Sequence, residues 1–266
     1  MNISSSPPLG LTRDAAHVYT WNDGEKISGP LPSVTTILRV VDKSGPLVGW
    51  AKRETAACAV RNLDMLVRMR EAGGDAAAVA WLKAIPDFQR DSAADIGTRV
   101  HRLVEQLARG ETPEVTAEEA PFVEAYRRFL ALYRPRFLAV EEMVVSLRHQ
   151  YGGTLDAIAV IGRETWLLDV KTGTGLYPET GLQLAAYGAA DFIGRPGIPH
   201  RFRLPRASRY GVVHVRPEGA RLVEYHVDRG TVAAFLQARR LFAWVGGPGK
   251  SVLGDPVAAG EGSAAA

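Results

Sequence analysis

Cysteine is almost absent: Cys58 is the only one in 266 residues. A lone thiol excludes an intrachain disulfide and any zinc or iron–sulfur site built from several of the chain's own thiolates. It predicts a reducing, intracellular setting. Long apolar runs are missing too, with no stretch approaching the roughly eighteen uninterrupted apolar residues that a spanning helix needs. Residues 1–10 have no basic start followed by a long apolar core, which predicts neither a secretory leader nor a membrane segment. Charge of one sign is lacking as well. Thirty-two Lys and Arg against 29 Asp and Glu leave a formal charge of +3, so overall charge favours a nucleic-acid partner only weakly. Neither an internal repeat nor a coiled-coil heptad pattern is present.

What remains is a chain long enough to bury one substantial core. HVYTW, NDG and EKI predict a small hairpin turning at Asn22 to Gly24. Ser33 is placed to cap a helix over VTTILRVV. Helix-compatible sequence runs from Leu47 to Met69, and a short helical segment follows Gly73 and Gly74 through Trp81. Val100, Leu103, Val104 and Leu107 make the apolar stripe of a helix over Asp95 to Ala108. Another helix runs from Glu118 to Tyr133 and stops at Pro135. LAVEEMVVSL, TLDAIAVI and ETWLLDVK then read as an antiparallel meander. A helix over Glu179 to Phe192, a hairpin of YGVVHVRP and RLVEYHV around Glu218-Gly219, and a helix over 231–245 complete the series. The segment after Gly246, rich in Gly, Pro and Ala, reads as a disordered tail.

Asp156, Asp169 and Lys171 carry the chemistry. They put two carboxylates and an amine at neighbouring strand ends, a costly arrangement unless a cation neutralises it. Both aspartates sit inside apolar runs, where a carboxylate has little reason to be without a partner. Strand alternation places Asp169 and Lys171 on one face and Val170 on the other, leaving the Val170 carbonyl as a neutral third ligand. His101 and Glu105 share a helical face one turn apart; they read either as a surface pair or as an imidazole ligand with an acidic neighbour. Gly97, one turn earlier, permits a close approach. Alternation allows only one of Glu141 and Glu142 on the active face, and spacing to Asp156 favours Glu141. A basic cluster of Arg195, His200, Arg201, Arg203, Arg206 and Arg209 among prolines reads as an exposed arginine loop, either solubilising or contacting DNA backbone.

The order Gly97-x-x-x-His101, Glu141 or Glu142, Gly153-x-x-Asp156, Asp169-x-Lys171-Thr172-Gly173 and Gln183-x-x-x-Tyr187 resembles the PD-(D/E)XK nuclease superfamily. It is most similar to the RecB-like exonuclease branch, which includes bacteriophage and Cas4-type nucleases. The resemblance covers roughly residues 95–190, with LPSVTTIL and LVGWAK similar to the N-terminal region of phage members. It implies an α/β (mixed α+β), restriction-endonuclease-like core with a central mixed sheet flanked by helices. By this division, residues 1–94 form a mostly helical extension packed on a core over 95–245, and 246–266 the tail. It further implies that His101, Asp156, Asp169 and the Val170 carbonyl bind Mg²⁺, with Mn²⁺ able to substitute. Lys171 would stand beside the attacking water, and Gln183 and Tyr187 would pack against the site or reach into it. Cas4-like members hold an iron–sulfur cluster on four cysteines, which Cys58 alone rules out within this chain.

The implied activity is Mg²⁺-dependent DNA hydrolysis, as an exonuclease in phage or bacterial recombination or repair. A restriction or defence endonuclease would use the same site, and a non-catalytic nucleic-acid-binding protein would keep the fold alone. The setting implied is the cytoplasm of a bacterial or phage-infected cell, with DNA as partner. A homo-oligomer or a recombination-protein complex is compatible with the resemblance.

Overall fold

The computed structural model describes residues 7–255. Strands β1 (Gly10–Arg13), β2 (Val18–Asn22) and β3 (Ile27–Pro32) form a small antiparallel sheet, so the extension begins with a sheet rather than a lone hairpin. Ser33 Oγ accepts the Thr36 amide at 3.0 Å and caps α1 (Val34–Ile37), satisfying an amide that a first turn otherwise leaves orphaned. A 3₁₀ turn over Leu38–Val40 follows. Next come α2 (Ser44–Arg61) and the long α3 (Leu63–Ala108).

Gly74, with φ at 71°, interrupts α3, a left-handed conformation that glycine adopts without a side-chain penalty. Beyond it the helix is continuous. It fills residues 82–94, which the sequence left unassigned, and passes through the 94/95 boundary. Pro86 lies inside, but it removes a single amide donor, and Leu82, Lys83, Ala84, Gln89 and Arg90 around it are good helix formers. α4 (Ala120–Tyr133) ends on Arg134 in the left-handed region.

A seven-stranded mixed sheet contains β4 (Arg136–Ser146), β5 (Tyr151–Ile161) and β6 (Glu164–Lys171) as the antiparallel meander. α5 (Glu179–Gly188) is shorter than its apolar run suggested. At Gly188 an added Cβ would lie 2.7 Å from the Tyr210 ring, and Phe192 already belongs to strand β7 (Phe192–Arg195). β7 pairs with β8 (Ile198–Phe202). The arginine segment is therefore partly a hairpin turning at Pro196-Gly197, and only residues 203–208 are free of strand. β9 (Arg209–Arg216) and β10 (Gly219–Glu224) make the forecast hairpin, with β9 parallel to β6. The strand order is β10-β9-β6-β5-β4-β7-β8. α6 (Arg229–Gly246) begins at a capping box on Asp228. The described part of the tail is not structureless, because Pro248–Ser251 form a 3₁₀ turn; residues 256–266 of that forecast tail lie outside the described residues.

Two cores flank the large sheet. Val100 and Val104 of α3 and Phe122, Tyr126 and Phe129 of α4 pack on Ala157, Leu168 and Val170. Val34 and Ile37 of α1, Leu184 and Tyr187 of α5 and Phe235 of α6 pack on Leu155, Ile158, Leu167 and Val212. The small sheet closes a third cluster in which Leu11, Tyr19, Trp21 and Leu31 meet Val145 and Phe192. The molecule is a mixed α+β structure, and no helix among the described residues is long and apolar enough to cross a membrane.

Candidate active site

Strand register builds the site. Val140 faces Ala157 and Glu142 faces Leu155 across β4 and β5, which sets Glu141 opposite Asp156. The β5–β6 ladder ends at Ala157 and Leu168, and just beyond it Asp156 and Asp169 are close enough for the charge of one to raise the other. Three carboxylates thus stand close together on three neighbouring strands. Asp156 lies within β5, not at a strand end as its sequence context suggested. Like charges held this close disfavour one another's ionised form, so the cluster needs cations.

Two side chains supply them from opposite ends. On α3, where Val100 and Val104 are buried, His101 lies with Nε2 3.0 Å from Asp156 Oδ2 and Nδ1 3.4 Å from Glu141 Oε1. Burial acts to lower its pKa, but the Asp156 hydrogen bond and the charges of Asp156, Glu141 and Asp169 outweigh it and raise the imidazole to about 9. At the other end Lys171 Nζ lies 2.9 Å from Asp169 Oδ1 and 2.7 Å from Oδ2. Burial works against its charge, yet Asp169 and Asp156 hold the ammonium above its usual value.

The carboxylates answer in the opposite sense. Burial first, and the Asp156 charge second, push Glu141 up to about 7. The same two causes raise Asp169 against the pull of Lys171. Asp156 Oδ2 also accepts the Val170 amide at 2.7 Å, and Gln183 Nε2 donates to Asp169 Oδ1 at 2.9 Å and to the Tyr187 hydroxyl at 3.3 Å.

A divalent cation fits these residues. Glu141 Oε1 and Asp169 Oδ2 are buried without a hydrogen-bond donor, although they lie within ion-pair reach of His101 and Lys171 respectively. His101, Glu141 and Asp156 each present a ligand atom within 4.8 Å of the others. One imidazole and several carboxylate oxygens form a donor set suited to Mg²⁺ or Mn²⁺. No protein-family model matches this sequence, and no curated protein matches it either. The family resemblance therefore rests on the motif residues.

His101, Glu141 and Asp156 come together, with Asp169, Lys171 and Gln183 beside them. Glu141 rather than Glu142 enters the site. A register shift between Phe137 and Ala139 and a left-handed φ of 52° at Glu141 disturb the alternation, while Glu142 is bound by Arg195. Tyr187 is buried, its ring so close to Gly153 that a Cβ there would sit 2.5 Å from Cε1. It supports Gln183 from below. Glu105 pairs with Arg109 and is not grouped with His101, Glu141 and Asp156, though its charge helps to raise Glu141.

Of the forecast DNA contacts, Arg201 is 3.6 Å from Asp23 and rests on the Phe192 ring. Arg203 and Arg206 are exposed, with no ion pair among the described residues. Sequence reasoning missed a cleft of about 610 Å³ beside Lys171 and Gln183, which Arg39, Lys43 and Tyr177 help to line. The exposed Tyr177 in a glycine-rich connection was its one visible signal.

Proposed function

We propose that this protein is a metal-dependent nuclease that hydrolyses phosphodiester bonds in DNA, acting from strand ends. The observation that carries the reading is the cluster of Glu141, Asp156 and Asp169 on three neighbouring strands, bounded by His101 and Lys171. A purely structural network gains nothing from clustering three carboxylates, since replacing them by apolar residues avoids the desolvation cost. His101, Glu141, Asp156 and Asp169, with the Val170 carbonyl, would hold Mg²⁺. Bound there, the ion supplies Lewis-acid polarisation of the phosphodiester and a lowered pKa for water.

The chain's own groups orient the reaction. Lys171 remains an ammonium beside Asp169, so it serves as a donor that offsets charge developing on the phosphate, not as a neutral base. Gln183 fixes Asp169 and lies 3.5 Å from Lys171 Nζ through Oε1, which limits the lysine to a narrow set of positions. Val170 N–H keeps one Asp156 oxygen turned toward β6. Digestion of end-labelled linear DNA beside covalently closed circular DNA, with Mg²⁺ and with chelator, tests the proposal. Loss of the linear species alone, with Mg²⁺ only, is expected. Cutting of closed circles would indicate an endonuclease, and no cleavage of either would overturn the reading.

A further inference from the structure

The cleft beside Lys171 has a wall whose construction the chemistry above does not use. Tyr177 is 53% exposed, although its backbone is fixed by the Tyr225 hydroxyl, which donates to the Tyr177 carbonyl at 3.1 Å. Its ring folds over Gly175, where a Cβ would lie 3.1 Å from the phenol oxygen and 3.2 Å from Cζ. The ring is thus supported by glycine backbone on one side and open on the other. Arg39 also lines the cleft, exposed and without an ion pair among the described residues. Lys43 binds Glu179 at 2.9 Å and ties the segment before α2 to the first turn of α5. Asp42 also lines the cleft, with its carboxylate on the Ser44 amide.

We infer that this cleft is a nucleotide subsite for an unpaired strand, in which Tyr177 stacks on the base next to the scissile phosphate and Arg39 contacts the adjoining backbone phosphate. The inference rests on the nuclease reading and names its substrate as a single-stranded or frayed end. Three observations carry it. The volume lies within the roughly 300–1,000 Å³ of small-ligand sites. An exposed aromatic ring held rigid from behind gives a stacking platform, which a base can use only when it has left the duplex stack. The cleft is lined by Lys171 and Gln183, so a strand lying in it reaches the two side chains that hold Asp169.

The test uses the full chain with Ca²⁺ replacing Mg²⁺ and a single-stranded oligonucleotide carrying 2-aminopurine near its end. Binding should quench the fluorophore. Tyr177→Phe should retain the quenching, whereas Tyr177→Ala should lose it and weaken binding about tenfold, in the range of a base–aromatic stack. Arg39→Ala should weaken binding and lower the salt slope by about 0.7, the value for one phosphate of a single strand. Melting temperature and Mn²⁺ affinity report that each variant is folded. Unchanged quenching and affinity in both alanine variants overturn the subsite, and equal Tyr177-dependent quenching in a blunt duplex overturns its claim to an unpaired strand. Mg²⁺-dependent cleavage by the parental chain separates the two ideas. Cleavage indifferent to Tyr177 and Arg39 removes the subsite alone, while Tyr177-dependent binding without cleavage removes the nuclease reading and keeps the cleft.

Discussion

Lys171 touches both oxygens of Asp169, at 2.9 and 2.7 Å, so removing its ammonium takes away the cation in direct contact with a buried carboxylate. Lys171→Ala and Asp169→Ala are each expected to lower Mg²⁺-dependent cleavage at least about a thousandfold, roughly 4 kcal/mol of activation free energy, with circular dichroism unchanged. Near-parental turnover by folded Lys171→Ala protein would contradict the assigned role. The same residues fix a pH dependence for the metal-free chain. His101 is raised from 6.5 to about 9, so its contribution to stability is complete below 6.5 and is lost as pH rises through about 9. Glu141 is raised from 4.5 to about 7, so the folded state again holds more protons, and stability falls with rising pH over that lower window. The melting temperature in chelator should therefore decline from 4.5 to about 9. His101→Gln should flatten the upper limb, and saturating Mn²⁺, which binds only the folded site, should oppose the decline. A melting temperature in chelator that rises with pH across this span would refute the charge assignment.

Among the elements, β5 depends on two glycines for the helix and sheet packed over it. At Gly153 a Cβ would lie 2.5 Å from Tyr187, and at Gly152 2.6 Å from Tyr19. Gly153→Ala should cost about 1–3 kcal/mol, as overpacking does, and should displace the Gln183 support through Tyr187. Denaturant unfolding measures the first effect and cleavage the second; parental values for both would show that α5 shifts freely. The β7–β8 hairpin revises the arginine prediction. Arg201 is occupied by Asp23 and Phe192, so on the proposed nuclease reading the DNA-backbone contact falls to Arg203 and Arg206. Arg203→Ala with Arg206→Ala should weaken binding of catalytically inactive protein about equally across unrelated sequences. The salt slope should drop by nearly two on a duplex, and an unchanged slope would place the backbone contacts elsewhere.

At the scale of the whole molecule, the small sheet packs directly on the large one. Trp21 meets Phe192 edge-on at 4.9 Å, Leu11 and Leu31 share their cluster with Val145, and Tyr19 hydrogen-bonds Thr154 at 2.9 Å. Native-state hydrogen exchange should therefore give amides of β2 and β5 the same opening free energy, within about 1 kcal/mol, as one cooperative unit requires. Markedly earlier opening of β2 would divide the molecule.

Local rules reach only so far along this chain. Glu164–Lys171 was legible to the residue because period-two alternation between turns needs no distant partner, and the Ser33 cap was legible because a cap bonds within three residues. The shared face of Asp169 and Lys171 followed from the same alternation, whereas their ion pair did not. The end of α5 was not legible, since the apolar run from Leu184 to Ile193 suits helix and strand alike, and only the Tyr210 ring at Gly188 and the pairing of β7 with β4 decide between them. Glu141 was distinguished from Glu142 weakly by spacing and firmly by the bulge and left-handed backbone of β4. The sequence by itself determined which side chains are candidates for the site and the strands that carry most of them, because residue type and strand period are local properties. The tertiary structure decided that His101, forty residues before Glu141, closes on Asp156, and that Arg39 and Tyr177 face one cleft. Those distances depend on strand register and helix packing, which residues far apart in the chain set together.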